Sequence, residues 1–177
     1  MKIIYILFIT ILWALVSHSQ NPGTPDKSFG NNGIVKTNIG GGNAIALTMA
    51  IQNDDKIIVA GKASVDMSDD IALVRYDIDG SVDNSFGKKG FVITSIGNVS
   101  DVTNAIILQY DGKIITAGST TTIYGNRDFA LVRYTPDGRL DTTFGNQGIV
   151  ISSVGSFNDE IMSVALQTDG RIVVAGW

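Results

Sequence analysis

The chain has 177 residues, 44% hydrophobic and 17% charged, a composition that excludes a disordered polyelectrolyte and suits a folded protein of about one domain. Its 13 Lys and Arg against 17 Asp and Glu give a formal charge of −4 with no cationic cluster, which excludes nucleic acid as a partner, because phosphate binding needs grouped cations. Cysteine is absent, so stability has to come from core packing and strand pairing, and a cysteine-linked lipid anchor is excluded.

At the start of the chain, Lys2 precedes an unbroken apolar run from Ile3 to Val16, followed by Ser17, His18 and Ser19 in a small-x-small pattern. This layout predicts a secretory signal helix over residues 1–19, cleaved before Gln20, and an exported chain over residues 20–177. A membrane anchor is the competing reading, but the run falls short of the ~20 residues that a spanning helix needs. The expectation is therefore a secreted or cell-surface protein with no stable membrane span after cleavage. Loss of Lys2 and His18 leaves 12 basic and 17 acidic residues, a charge of −5, and no histidine.

From residue 26 onward the sequence repeats itself. Asp26, Phe29 and Gly30 return as Asp83, Phe86 and Gly87 and again as Asp141, Phe144 and Gly145, at offsets of 57 and 58. Gln52, Gln109 and Gln167 keep the same step, as do Ala60-Gly61, Ala117-Gly118 and Ala175-Gly176. Ala72-Leu73-Val74-Arg75-Tyr76 matches Ala130-Leu131-Val132-Arg133-Tyr134, and each is followed by Asp-Gly, at Asp79-Gly80 and Asp137-Gly138. The copies run over 26–82, 83–140 and, in part, 141–177.

Each copy predicts four short strands. The first follows a glycine: Gly33 to Thr37, Gly90 to Thr94, Gly148 to Ser152. In the second, apolar residues two apart (Met49 and Ile51, Ile106 and Leu108, Val164 and Leu166) share one face of a strand. The third follows the Asp-Gly-Lys phrase, as in Lys56 to Ala60, and the fourth is Asp70 to Tyr76 or Asp128 to Tyr134. The 20 glycines leave no long helical window. The fold class predicted is all-β: tandem four-stranded antiparallel blades of a β-propeller, incomplete at about two and a half repeats, after the N-terminal signal helix. A β-solenoid and a β-sandwich are the alternatives; the first has shorter periods and the second no reason to repeat. Roughly four to eight blades close a propeller, so the chain is expected to be a fragment, with further blades of the same longer chain beyond Trp177.

The motifs Val82-Asp83 with Phe86-Gly87 and Gly90, Gln109 with Asp111-Gly112-Lys113, Ala117-Gly118, and Ala130 to Tyr134 with Asp137-Gly138 follow one another at constant spacing. In this the chain resembles the bacterial delta-60 repeat, a propeller-like module of secreted and surface proteins, over nearly everything after the signal. Asp55, where glycine is usual, and Arg171, where lysine is usual, depart from the pattern. The resemblance implies the fold and the location but brings no catalytic residue.

After cleavage no histidine or cysteine remains for a Ser-His-Asp triad, a Cys-His dyad or the usual zinc sites. Sixteen aspartates and Glu160 could supply a glycosidase pair, yet Asp26, Asp83, Asp141, Asp79, Asp137, Asp111 and Asp169 fall at repeated turn positions. No catalytic residue and no cofactor is predicted. Asp77, Asp79 and Asp83 could contribute to a structural calcium site, but Thr135 replaces the first of them in the next copy. Arg75 and Arg133 are expected to pair with a repeated aspartate, while Phe29, Phe86 and Phe144 are expected to anchor the core. The segment between Ala117 and Asp128 changes length and sequence while its flanks hold register, which makes it a surface loop; Tyr124 and Arg127 are its candidate contact residues. The function predicted is a structural or binding scaffold recognising a glycan or protein through blade loops. The alternative is a hydrolase or lyase using aspartates on a central channel.

Overall fold

A computed structural model of the chain describes residues 23–39, 42–66, 68–97, 99–155 and 157–177, so the predicted signal helix over 1–19 lies outside the described residues. Sheet I consists of β1 (Ala44–Ile51), β2 (Ile57–Val65), β3 (Ser68–Tyr76) and β4 (Phe91–Thr94). Sheet II repeats it with β5 (Asp101–Leu108), β6 (Ile114–Thr121), β7 (Arg127–Tyr134) and β8 (Ile149–Ser152). Sheet III pairs β9 (Ile161–Leu166) with β10 (Ile172–Gly176). All pairs are antiparallel and join neighbours in the chain, so the two full sheets are meanders that resemble propeller blades. Among the described residues there is no helix.

The repeated phrase around Asp-Gly-Lys builds the first hairpin of each sheet. Gln52 N donates to Lys56 O at 2.8 Å, and Gln109 to Lys113 and Gln167 to Arg171 do the same, each at 2.8 Å. The turn requires a left-handed residue, supplied by Gly112 (φ 80°) and Gly170 (φ 85°) and, in the first copy, by Asp55 (φ 63°). The Ala-Gly that ends the phrase has a different cause. β1 and β5 each carry a bulge, at Leu47 and at Asn104, and the bulged backbone comes so close that a Cβ at Gly61 or Gly118 would lie 2.0 Å from the carbonyl oxygen of Ile45 or Val102.

The sheets are cut one strand out of phase with the sequence copies. Residues 91–94, expected as the first strand of the second copy, form β4, the last strand of sheet I, with Phe91 to Thr94 opposite Val74 to Ile71; residues 149–152 form β8 of sheet II in the same way. The earliest counterpart, Gly33 to Thr37, makes only isolated bridges at Gly30, Asn31 and Ile34. The correction has a physical reason: this strand pairs with the third strand of the copy before it, and no such strand precedes Gly33 among the described residues.

Each sheet has a front, facing the preceding copy, and a rear, facing the next. The rear of sheet I (Ile58, Ala60, Ile71, Leu73 and Phe86) meets the front of sheet II (Ile114, Val132 and Tyr134) in one core, with Ile106 and Leu108 of β5 packed against it. The rear of sheet II, through Ala117, Phe129 and Leu131, meets Ile161, Val164 and Val174 of sheet III. Among the described residues, the front of sheet I, with Ala72, Val74 and Tyr76, is covered by Val35, Ile39 and their neighbours.

Candidate functional site

The repeated charges sit at the outer turns between sheets. Asp83 Oδ1 accepts from Ser85 N at 3.0 Å and Ser85 Oγ at 2.6 Å, closing an Asx turn, while Oδ2 accepts from Lys56 Nζ and Arg75 Nε, each at 2.8 Å. In the next copy Asp141 Oδ1 serves Thr143, and Oδ2 stands 2.9 Å from Arg133 Nε and 3.4 Å from Lys113 Nζ. The two guanidinium groups lie over Phe86 and Phe144, 4.7 and 4.5 Å from the ring centroids. Burial alone would raise the Asp83 carboxyl, but hydrogen bonds from Lys56 and Ser85 and the charge of Arg75 outweigh it and hold the group far below the carboxylate range. The hydrogen bond from Thr143, supported by Arg133 and Lys113 against desolvation, holds Asp141 at about 2. The expected pairing of each arginine with a repeated aspartate is thus present.

The same arrangement ties sheet to sheet. Arg75 Nη1 donates to Pro136 O at 2.7 Å, and Gly87 N donates to Asp137 O at 2.9 Å. Tyr134 is fully buried and donates its hydroxyl to Thr94 Oγ1 at 2.9 Å; its phenol is pushed well above the ordinary range by burial. Tyr76 repeats the bond to Thr37 at 2.7 Å. Tyr134 thus faces the neighbouring sheet, whereas Arg75 and Arg133 turn into the ion-pair layer rather than out to solvent. Of the three phenylalanines, Phe86 is fully buried and Phe29 and Phe144 half-buried.

The seven aspartates at repeated turn positions are all engaged in turns. Asp26, Asp79, Asp83 and Asp141 each accept from a Ser or Thr two residues on, Asp137 accepts from Thr135, and Asp111 and Asp169 accept from the backbone of Lys113 and Arg171. Asp77 and Asp83 converge on the Lys56 ammonium, and hydrogen bonding to Asp77 and Asp83 raises that lysine above its ordinary value. Among the described residues no three metal-ligating side chains form a cluster.

The two candidate contact residues part company. Tyr124 projects from the tip of the β6–β7 hairpin and is 86% exposed, next to Gly125 at φ 87° and an exposed Ile123. Arg127, three residues on, is held at the base. Its guanidinium bonds the Glu160 carboxylate, its N–H donates to Asn158 Oδ1 at 2.9 Å, and its carbonyl accepts from Asp159 N at 2.7 Å. Arg127 therefore fastens the hairpin to the start of β9, leaving Tyr124 as the presented side chain.

Two features had not been read from the sequence. Asp101, 1% exposed, accepts from Ile96 N at 2.6 Å and Thr120 Oγ1 at 2.5 Å and holds the corner leading into β5; Asp159 holds the equivalent corner through Val154 N at 2.7 Å. Their spacing of 58 was the available signal. The second feature is an apolar groove of about 710 Å³ on the front of sheet I, lined by Phe29, Val35, Ile39, Met49, Val74 and Tyr76 among others.

Two stretches match a known family model. Residues 52–86 and 109–144 match the domain of unknown function DUF5122, a β-propeller. Both matches begin at a hairpin glutamine, Gln52 or Gln109, and end at a repeated phenylalanine, Phe86 or Phe144. No curated protein matches the chain. Together with two four-stranded meanders stacked face to face, the match makes this a β-propeller-like repeat domain. Among the described residues no helix is long and apolar enough to cross a membrane.

Proposed function

We propose that the chain is a secreted or cell-surface propeller module that works as a structural and binding scaffold, recognising a glycan or a protein through hairpin loops. One observation carries the reading: the seven carboxylates at repeated turn positions are committed to turns, while the hairpin that differs between copies lifts an aromatic side chain, Tyr124, into solvent. Rigid sheets with a variable aromatic-tipped loop suit recognition, in which a few aromatic anchors carry most of the affinity. The narrower kinship with delta-60 repeats rests on the ordered motifs from Val82 to Gly138, and with the apolar leader it supports export and further blades in a longer chain.

Binding of the purified protein to a panel of polysaccharides and surface proteins tests the reading. Saturable binding is expected, weakened roughly tenfold or more by Tyr124→Ala, about 1.4 kcal/mol, with the melting temperature unchanged. Time-dependent product release that is lost on an Asp→Asn change would replace the scaffold with the hydrolase or lyase. The intact mass of exported protein tests the leader; a chain beginning at Gln20 is expected.

A further inference from the structure

The turn that leads into β4 has the same backbone in all three copies but not the same charge. Asn31-Asn32, Lys88-Lys89 and Asn146-Gln147 occupy the same two places, and the second residue of each pair is left-handed, at φ 54°, 57° and 53°. The backbone therefore asks for no cation there, yet the second copy supplies two. From Lys56 to Arg171 every other lysine and arginine forms an ion pair. Lys88 and Lys89 form none among the described residues and stand exposed, in a chain of formal charge −4.

Lys88 also lines a groove of about 340 Å³, whose other walls are Phe91, Val92 and Ile93 of β4 with Gly87 and Gly138. It lies at the outer rim between sheets I and II, where Gly87 N donates to Asp137 O at 2.9 Å, and both sheets there carry all four strands. The volume is at the small end for a ligand site and suits a short stretch of a chain rather than a large cofactor. Its floor is half-buried and apolar, and the two glycines offer bare backbone to a flat group.

Lysines beside such a floor suit an acidic peptide or an acidic sugar. A peptide would add a strand to the edge of β4. Arg75 N donates to Gly90 O, so by the antiparallel alternation Phe91 and Ile93 turn their backbone groups outward. Those of Phe91 are already taken: Lys88 N donates to Phe91 O at 2.9 Å, and Phe91 N donates to Lys88 O at 3.5 Å. Ile93 is too short an edge for a strand. A sugar needs no such ladder: its apolar ring face suits the floor, and a ring carboxylate suits two point charges. A phosphate backbone is matched less well, because it needs more grouped cations than two lysines, and the neighbouring Arg139 is held by Asp137 at 3.2 Å.

We infer that this rim groove binds a uronate unit of an acidic polysaccharide, its carboxylate against Lys88 and Lys89 and its ring over Phe91 and Val92. The groove lies at the opposite end of the strands from Tyr124, so the inference goes beyond the loop-recognition reading and does not rest on it.

Isothermal titration of the full 177-residue chain with polygalacturonate tests it, beside the fully methyl-esterified polymer and a DNA oligonucleotide. The unaltered chain is expected to bind polygalacturonate saturably, more weakly as salt rises, and to bind the other two at least about tenfold more weakly. Lys88→Asn combined with Lys89→Gln installs the pair of the third copy, so circular dichroism is expected to stay unchanged while affinity falls roughly tenfold or more. Tyr124→Ala is expected to leave this affinity as it was; a loss there would move the uronate to the hairpin tip and overturn the groove while leaving the loop reading intact. The inference is also overturned by a chain that does not bind polygalacturonate, by binding indifferent to salt, by undiminished binding in the double variant, or by equal binding of the ester or the oligonucleotide.

Discussion

Gly118 and Asp55 show how one backbone requirement can be met or strained. At Gly118 the constraint is space: an added Cβ would lie 2.0 Å from Val102 O and 2.9 Å from the carbonyl carbon, both in a bulged backbone paired to sheet neighbours. Gly118→Ala is expected to destabilise the protein by about 1–3 kcal/mol, the range for overpacking, read from a urea midpoint. At Asp55 the constraint is torsional. A left-handed L-residue costs about 1–2 kcal/mol, less for Asp, and the extra unfolded-state freedom of glycine returns about 0.5–1 of it. Asp55→Gly is therefore expected to raise stability by about 0.5 kcal/mol, bringing the first hairpin into line with Gly112 and Gly170; a lower urea midpoint would show that the Asp55 side chain has a role the turn geometry does not reveal.

At the scale of the element, the turn after each third strand is held by an aspartate that joins an Asx turn to an arginine. Asp141, held at about 2 against an ordinary value of 3.8, has a folded pKa below its unfolded one. Its contribution is therefore complete above about pH 4 and lost as pH falls through about 2. Melting temperature is expected to fall over that interval for the unaltered chain and to fall less for Asp141→Asn, which has no proton to gain there; equal acid sensitivity would remove the residue from the account. Leu73, fully buried between sheets I and II, gives the apolar counterpart: Leu73→Ala is expected to cost about 2–5 kcal/mol in chemical denaturation. Much of this was legible in the sequence, because Arg75, Asp83, Phe86 and their equivalents recur at one spacing, and recurrence marks a shared environment. The phase of the sheets was not. Which strand Phe91 to Thr94 joins is decided by packing across the turn, and the sequence between Gly90 and Thr94 suits either edge. The Arg127–Glu160 pair was hidden for a related reason, since Glu160 lies in the next repeat and Val102 stands at its place one repeat earlier.

At the scale of the whole molecule, stacked repeats make stability a matter of neighbours: each sheet is held by its own pairing and by the faces on either side. Sheet II has both faces covered, and β6 runs through its centre with Ile114 to Thr120 buried without interruption. Among the described residues, sheet III has one covered face and two strands, with β10 paired on one side. Opening should therefore begin at β10, and hydrogen exchange should order the strands accordingly: amides of β6 slowest, those of β10 fastest, with β2 between because the front of sheet I is only partly covered. Pairing within β9 and β10 alone cannot protect them to the global limit, since a two-stranded hairpin is marginal by itself. A β10 as slow as β6 in dilute protein would mean that neighbour packing does not set local stability here.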